Sequence, residues 1–273
     1  GDERLPGIPA GRVRERDATL ELALRQWIRD QAGIDVGYVE QLYTFGDRDR
    51  PSAATGHRQV AVGYLALVHE AQPAANAAWV DWYRLFPWED HRDGPPAILE
   101  SLRARLAAWA GDDAARSARV ATSFGTHEAT WDGIRVLERY ELLYEAELVP
   151  EAFIDRGVAP PTDVPIGGGM AFDHRRIVAT AMGRLRGKLT YRPVVFELLP
   201  ETFTLLALQQ VVVALAGIRL HKQNFRRLVE RGGLVEGTGL RAPSTGGRPA
   251  ELFRFRSDVV RERPRPGLGV PYR

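Results

Sequence analysis

Cysteine is absent from the 273 residues, so no disulfide can staple the fold and no thiolate can hold a metal ion. That absence fits a reducing compartment, and a cytoplasmic protein is the expectation. No apolar run approaches the roughly 20 residues that a membrane-spanning helix needs. The opening segment, GDERLPGIPA, has neither the basic nor the apolar region of a signal peptide, so no membrane partner is expected. No internal repeat is evident. What remains is a chain with 44% apolar residues, long enough for one large domain or two and able to bury ordinary cores.

The net charge of +2 conceals a division along the chain. Residues 1–173 carry 18 basic and 28 acidic side chains, whereas 174–256 carry 15 and 5. An excess of positive charge attracts phosphate backbones at long range, and the acidic half is expected to face away from a duplex. The plainer alternative is a solvated basic face.

Hydrophobic spacing divides the chain further. In TLELALRQWIRDQAGI, residues 19–34, an apolar stripe of Leu20, Ala23, Leu24, Trp27 and Ile28 recurs at helical intervals and Gly33 ends it. Residues 37–45 and 59–69 read as strands, the second rich enough in Val, Leu and Tyr to suggest burial on both faces. Further helices are expected over 96–110 and 131–148. Residues 111–117 and 155–169 read as loops, the second placing a boundary between a first domain over 1–165 and a second over 173–256, followed by a Pro/Gly-rich tail over 257–273. Asp173 is positioned to cap a helix reaching about Leu185, a candidate coupler between the two domains. Its Arg175, Arg176, Arg184, Arg186 and Lys188 read as solvated or phosphate-facing. The aromatic run WVDWYRLFPW within 71–135 is open to three readings: a dimer surface, a lid, or added core.

Residues 204–255 carry the sharpest pattern. FTLLALQQVVVALAG gives an apolar helix capped by Thr204, itself also a candidate DNA contact, with Leu205, Leu208, Val212 and Leu215 turned inward. Ala216 and Gly217 supply a turn, and HKQNFRRLVERGG gives a second, basic helix. There Leu220, Phe225, Leu228 and Val229 face the core, while His221, Lys222, Gln223, Asn224, Arg226 and Arg227 are candidates for the DNA groove. Gln223 or Asn224 can pair with adenine and Arg226 or Arg227 with guanine, each worth roughly 1–3 kcal/mol of discrimination. The competing view makes Gln223 and Asn224 helix-surface residues and pairs Arg227 with Glu230. A hairpin tipped by Gly246 and Gly247 then presents Arg248 to a minor groove or phosphate. The order helix, turn, basic helix, wing is that of a winged helix-turn-helix.

The joined segments FELLPETFTLLALQQ, HKQNFRR and GRPAELFRF resemble the C-terminal domain of the Nudix-related transcriptional regulators, over about 193–255. LPGIPAGRVRERDATLELALRQWIRDQAGI is similar to a degraded Nudix box, and GYVEQLYTFGD to the strand and loop that follow it. The resemblance implies an α/β (α+β) Nudix-like sandwich followed by a winged helix-turn-helix domain, acting as a homodimer on double-stranded operator DNA. A working box lines one helix face with carboxylates that hold divalent metal against a pyrophosphate. Here the glutamate positions hold Trp27, Asp30 and Gln31, and Glu21 stands at a secondary position, so the expectation is a domain without catalysis, metal or required cofactor.

Family members that control NAD metabolism sense ADP-ribose in the retained cleft, and the resemblance carries that effector over as an expectation. Gly11 and Arg12 lie at the box entrance; Tyr43, Phe45, Asp47 and Arg50 lie at and beyond the next strand. Arg12 or Arg50 could meet phosphates and Tyr43 or Phe45 could stack a base, although Phe45 also fits a core and Asp47 a turn. The strands that precede the box in the family have no counterpart in this sequence. The expected function is a repressor of NAD-metabolism genes relieved by ADP-ribose or a related nucleotide. The alternatives are a Nudix pyrophosphohydrolase acting on ADP-ribose and a sugar-responsive regulator.

Overall fold

The computed structural model describes residues 5–46, 60–69, 71–126, 128–162, 167–243, 249–262 and 266–270. The first helix, α1 (Leu20–Ala32), begins where the Thr19 hydroxyl accepts the Leu22 N–H at 3.1 Å, and it ends at Gly33, whose φ of 69° suits a residue without Cβ. Its apolar stripe is less covered than the spacing predicts. Ala23 and Ala32 are buried, Leu24, Trp27 and Ile28 are half-buried, and Leu20 is exposed.

Strands β1 (Tyr38–Phe45) and β2 (Ala61–Leu67) pair antiparallel with an irregularity between Gln41 and Thr44. In β2 only Gly63 and Leu67 are buried. The expectation of two covered faces is met only in part, since the other five residues of β2 are half-buried and, among the described residues, this sheet has two strands. Gly63 is where it meets the helical layer: a Cβ there would lie 2.9 Å from the Phe45 ring and 3.3 Å from Ile177.

The aromatic run forms α2 (Trp82–Leu85) and a 3-10 turn at Pro87–Glu89, with Tyr83, Phe86 and Trp88 buried and Trp79 exposed. From Tyr83 to Trp88 it is therefore core. There follow α3 (Ile98–Ala110), α4 (Ala114–Phe124), α5 (Val136–Glu145) and α6 (Glu151–Ile154). The reading of 111–117 as loop is corrected by α4. Asp113 accepts from the N–H groups of Ala115 and Arg116, a cap strong enough to start a helix one turn after Gly111 ends the last. Helix α7 (His174–Tyr191) follows Asp173, whose side chain makes no capping bond, and runs a turn and a half beyond the expected end.

The C-terminal module contains β3 (Thr202–Phe203), α8 (Leu205–Ala216), α9 (Lys222–Gly232), β4 (Val235–Arg241) and β5 (Glu251–Phe255), with the strands in the order β3-β5-β4. A short α10 (Val259–Glu262) comes next. The tail adds to this module's core, since Val259, Leu268 and Val270 are buried and the Leu268 N–H donates to Leu189 O at 2.9 Å.

Helix α7 belongs to both cores. Its Ala179 and Met182 pack with residues of α2 to α6, while Leu185 and Leu189 pack with Leu208, Val212, Phe225 and Val229 of the C-terminal module. It also touches both strands of the N-terminal sheet.

Its cations hold it there. Arg175 is fully buried against Glu151 at 3.1 Å, Arg176 meets Glu141 at 2.6 Å, Arg186 meets buried Glu89 at 2.6 Å, and Lys188 bonds Glu40 and Tyr38. Four of the five cations read as solvated are thus internal partners of the acidic half; Arg184 alone is exposed. Helical spacing shows that a residue is charged and not what awaits it, so carboxylates contributed by four distant segments were invisible to it.

Candidate nucleic-acid interface

The C-terminal module presents α9 as a strongly two-faced helix. Phe225 and Val229 are buried, Leu228 is half-buried, and His221, Lys222, Gln223, Asn224, Arg226 and Arg227 are all exposed. The six donors predicted for the groove therefore sit on and just before the first turns of one helix. That is where a recognition helix offers side chains to base edges.

Thr204 has a different immediate role. Its hydroxyl accepts the Ala207 N–H at 3.1 Å and caps α8. Gln209 reaches across to Leu220 O at 2.7 Å, fixing the segment that leads into α9.

Two arginines of α9 differ in their partners. Arg226 Nε donates to Glu230 Oε1 at 2.8 Å, an exposed pair four residues apart that raises its pKa above the ordinary guanidinium value. Arg227, which the competing reading pairs with Glu230, has no carboxylate partner among the described residues. The donors free to meet DNA without breaking an ion pair are thus His221, Lys222, Gln223, Asn224 and Arg227. The wing strands flank α9: Thr238 donates to Leu252 O at 2.9 Å and locks an irregularity between Gly237 and Arg241. Arg248, Gly246 and Gly247 lie outside the described residues.

Behind the helix pair lies a buried polar cluster. Glu89 is 1% exposed and accepts from Arg139 at 2.5 and 2.9 Å and from Arg186 at 2.6 Å. Burial alone would raise the Glu89 pKa, yet the two guanidiniums outweigh it and hold the carboxyl below its ordinary range. Arg139 also donates to Ser123 O and Asp132 O and lies over the Trp131 ring, 3.9 Å from its centre.

From this cluster three donors reach the end of α8. Tyr83 Oη donates to Ala214 O at 2.7 Å, Arg186 Nε to Leu215 O at 3.2 Å, and His91 N to Gly217 O at 2.7 Å. Gly217 has φ of 70°, and any Cβ there would collide with the Arg186 guanidinium, Glu89 O and Tyr83 Oη. These residues were missed in the sequence, although a lone glutamate ending the run WYRLFPWE was a usable signal: a carboxylate in so apolar a stretch needs cations from elsewhere.

The predicted ligand residues are arranged around the box helix and β1. Gly11 presses on the Trp27 indole, where a Cβ would come within 2.5 Å of the ring. Gln31 holds the same segment by two bonds, accepting from Ala10 N at 3.1 Å and donating to Ala10 O at 2.7 Å. The side chains standing at two of the three box carboxylate positions therefore clamp residues 10–11 onto α1. Asp30 pairs with Gln26, and no cluster of three or more metal-ligating side chains occurs among the described residues.

Arg12 is exposed. Tyr43 is 64% exposed and Phe45 5%, with their rings edge to face at 5.6 Å, so the ring with a free face is Tyr43 and Phe45 serves the core. Asp47 and Arg50 lie outside the described residues. A cavity of about 430 Å³ opens elsewhere, between β2, Trp79 and Leu198, and takes in none of the predicted ligand residues.

Comparison with known proteins places the module. Residues 195–255 match the family model of the NrtR DNA-binding winged helix domain. The ADPR responsive transcriptional repressor NtrR of Acinetobacter baylyi is 38% identical over 86 residues, which is 32% of this chain and 34% of that protein. The chain thus matches about a third of that relative's length.

The crystal structure of Shewanella oneidensis NrtR aligns with a TM-score of 0.50 at 24% identity, covering 93% of this chain and 81% of that one. The same protein complexed with a 27mer DNA aligns at a TM-score of 0.47 and 22% identity, covering 93% and 81%. The fold is accordingly that of the Shewanella oneidensis NrtR structure, a mixed helix-and-sheet region followed by a winged helix domain that matches the NrtR DNA-binding model. No helix among the described residues is long and apolar enough to cross a membrane.

Proposed function

We propose that this chain, whose C-terminal module is a winged helix domain of the NrtR type, is a cytoplasmic transcriptional repressor that binds operator DNA as a homodimer and is released by ADP-ribose or a closely related nucleotide. The observation that carries the DNA half is the exposed donor face of α9 beside a β4–β5 wing. The effector is supported by the Acinetobacter baylyi relative, described as an ADPR responsive repressor. In this reading Gln223, Asn224 and Arg227 read bases, Lys222 and Arg248 meet the backbone, and Arg226 joins them when its pair with Glu230 opens. Arg12 and Arg50 take the diphosphate and Tyr43 the adenine, with Gly11, Phe45 and Asp47 shaping the site.

The N-terminal region acts as a sensor without hydrolysing what it senses. The carboxylates that would hold a divalent cation are replaced at 27 and 31, and their replacements are engaged in the clamp on Ala10 and Gly11. A hard cation needs several oxygen ligands, and two neutral side chains in their place leave too few.

A ligand shifts DNA affinity only as far as it binds the two states unequally. The decisive measurement is fluorescence anisotropy of a labelled operator with and without saturating ADP-ribose, together with an assay for AMP release in magnesium. The expected result is weaker operator binding with ADP-ribose and no AMP. An unchanged Kd would remove ADP-ribose as the signal, and magnesium-dependent AMP release would make the chain a hydrolase.

A further inference from the structure

The end of α8 is secured from outside its own module. The last carbonyls of a helix have no partner within it, and here the donors to Ala214, Leu215 and Gly217 come from α2, α7 and the segment after the 3-10 turn. Bonds from three separate elements fix both the position of α8 along its axis and its rotation about it. Helix α9 begins only five residues after Gly217, so an error in α8 passes directly into the helix that faces DNA. Contacts to phosphate tolerate such an error because they depend on charge. Bidentate pairing with base edges does not, because both hydrogen bonds must close at once.

We propose that Tyr83 and Arg186, assembled around Glu89, are positioning residues for sequence-specific DNA recognition. They set the angle at which α9 enters the groove, although Tyr83, Glu89 and Arg186 are all buried. This rests on the reading of the winged helix as an operator-binding module. It assigns the selectivity of the DNA-binding module partly to residues up to 131 positions away in sequence.

The test begins with a duplex selected by the wild-type protein from a random-sequence library, compared with an unrelated duplex of equal length. Tyr83→Phe deletes only the hydroxyl that donates to Ala214 O, and Arg186→Lys keeps the charge while losing the bond to Leu215 O. Leu99→Ala, in the first core, serves as a variant of lowered stability that leaves the α8 end intact. All are measured well below their unfolding temperatures.

The expected result is a rise of at least fivefold in the Kd for the selected duplex in Tyr83→Phe and Arg186→Lys. The Kd for the unrelated duplex stays within twofold, and Leu99→Ala changes neither. A Tyr83→Phe protein that is less heat-stable but binds the selected duplex within twofold of wild type overturns the proposal, as does an equal loss on both duplexes. Should Arg186→Lys fail to fold, Tyr83→Phe decides alone. A wild-type protein that enriches no sequence at all defeats the operator-binding reading and this proposal with it, before any variant is made.

Discussion

Replacing Glu89 by glutamine isolates what the buried cluster contributes to stability. Glu89 satisfies Arg139 through two bonds and Arg186 through one, and all three side chains are 1% exposed or less. Glutamine keeps one acceptor oxygen but turns an NH₂ toward guanidinium donors and leaves two buried positive charges uncompensated. Breaking a buried ion pair by removing one partner costs about 3–5 kcal/mol. For a chain of this size that corresponds to a fall in Tm on the order of 10 °C.

The comparison that gives the number meaning is Arg119→Ala. It breaks the Arg119–Glu145 pair, whose geometry is as good but whose side chains are 49% and 45% exposed. Solvent screening limits that loss to about 1 kcal/mol or less. Urea unfolding followed by tryptophan fluorescence reports on both, since Trp88 is in the core and Trp131 stacks on Arg139. A Glu89→Gln protein losing no more than Arg119→Ala would refute the reasoning, because Glu89 is both buried and the shared partner of two arginines whereas the Arg119–Glu145 pair is exposed and single.

Burial lowers the His91 pKa, so below about pH 6.5 the unfolded chain takes up a proton that the native state refuses, and stability falls with falling pH. His91→Gln keeps the backbone bond to Gly217 and should flatten the melting temperature profile between pH 6.5 and 5; an unchanged slope would show that His91 is not its source. Gly11→Ala forces a methyl into the Trp27 ring and is expected to weaken ADP-ribose binding in calorimetry while leaving operator affinity alone, with equal affinity for ADP-ribose counting against the assigned cleft. Asn224→Ala and Arg227→Ala should relax base preference by roughly 1–3 kcal/mol at one position each. Arg226→Ala, already tied to Glu230, should do less, and selection profiles showing the reverse order would reassign the reading face.

Much of the winged helix was legible because its signals are local. Thr204 caps α8, Gly217 ends it in the left-handed conformation, and the alternation of Phe225 and Val229 with donors on α9 follows from helical period alone. Helix α4 was hidden because its start depends on one capping aspartate placed just after a glycine. The half-open stripe of α1 was hidden because spacing shows which residues could be buried and not whether anything covers them. The substitutions at Trp27 and Gln31 were readable as lost carboxylates; that they grip the Gly11 segment instead required coordinates. The Glu89 cluster was the least legible, since its members lie at 83, 89, 139 and 186 and no local pattern joins them.

The charge asymmetry between the two halves likewise changes meaning once partners are known. Arg175, Arg176, Arg186 and Lys188 neutralise Glu151, Glu141, Glu89 and Glu40 of the acidic half, and Arg226 and Arg254 pair within the module. The cations exposed without a carboxylate partner among the described residues of the module include Arg219, Lys222, Arg227, Arg231 and Arg241. Opposite charge between the halves thus serves first to bind them together, and a smaller set is left for phosphate.

Counterion release makes the distinction measurable, because log K falls against log salt with a slope of about −0.9 per phosphate neutralised. If all 15 basic residues of 174–256 acted in each protomer of a dimer, the slope would approach roughly −27. With Arg248 and the exposed Arg184 and Arg192 added, the exposed set limits it to about −14, or about −18 if Arg226 and Arg254 also leave their exposed partners. Anisotropy titrations of a single duplex across a salt series should therefore give a slope no steeper than about −18. One well beyond about −20 would mean that the α7 cations leave their carboxylates when DNA binds, and that the two halves separate on the duplex.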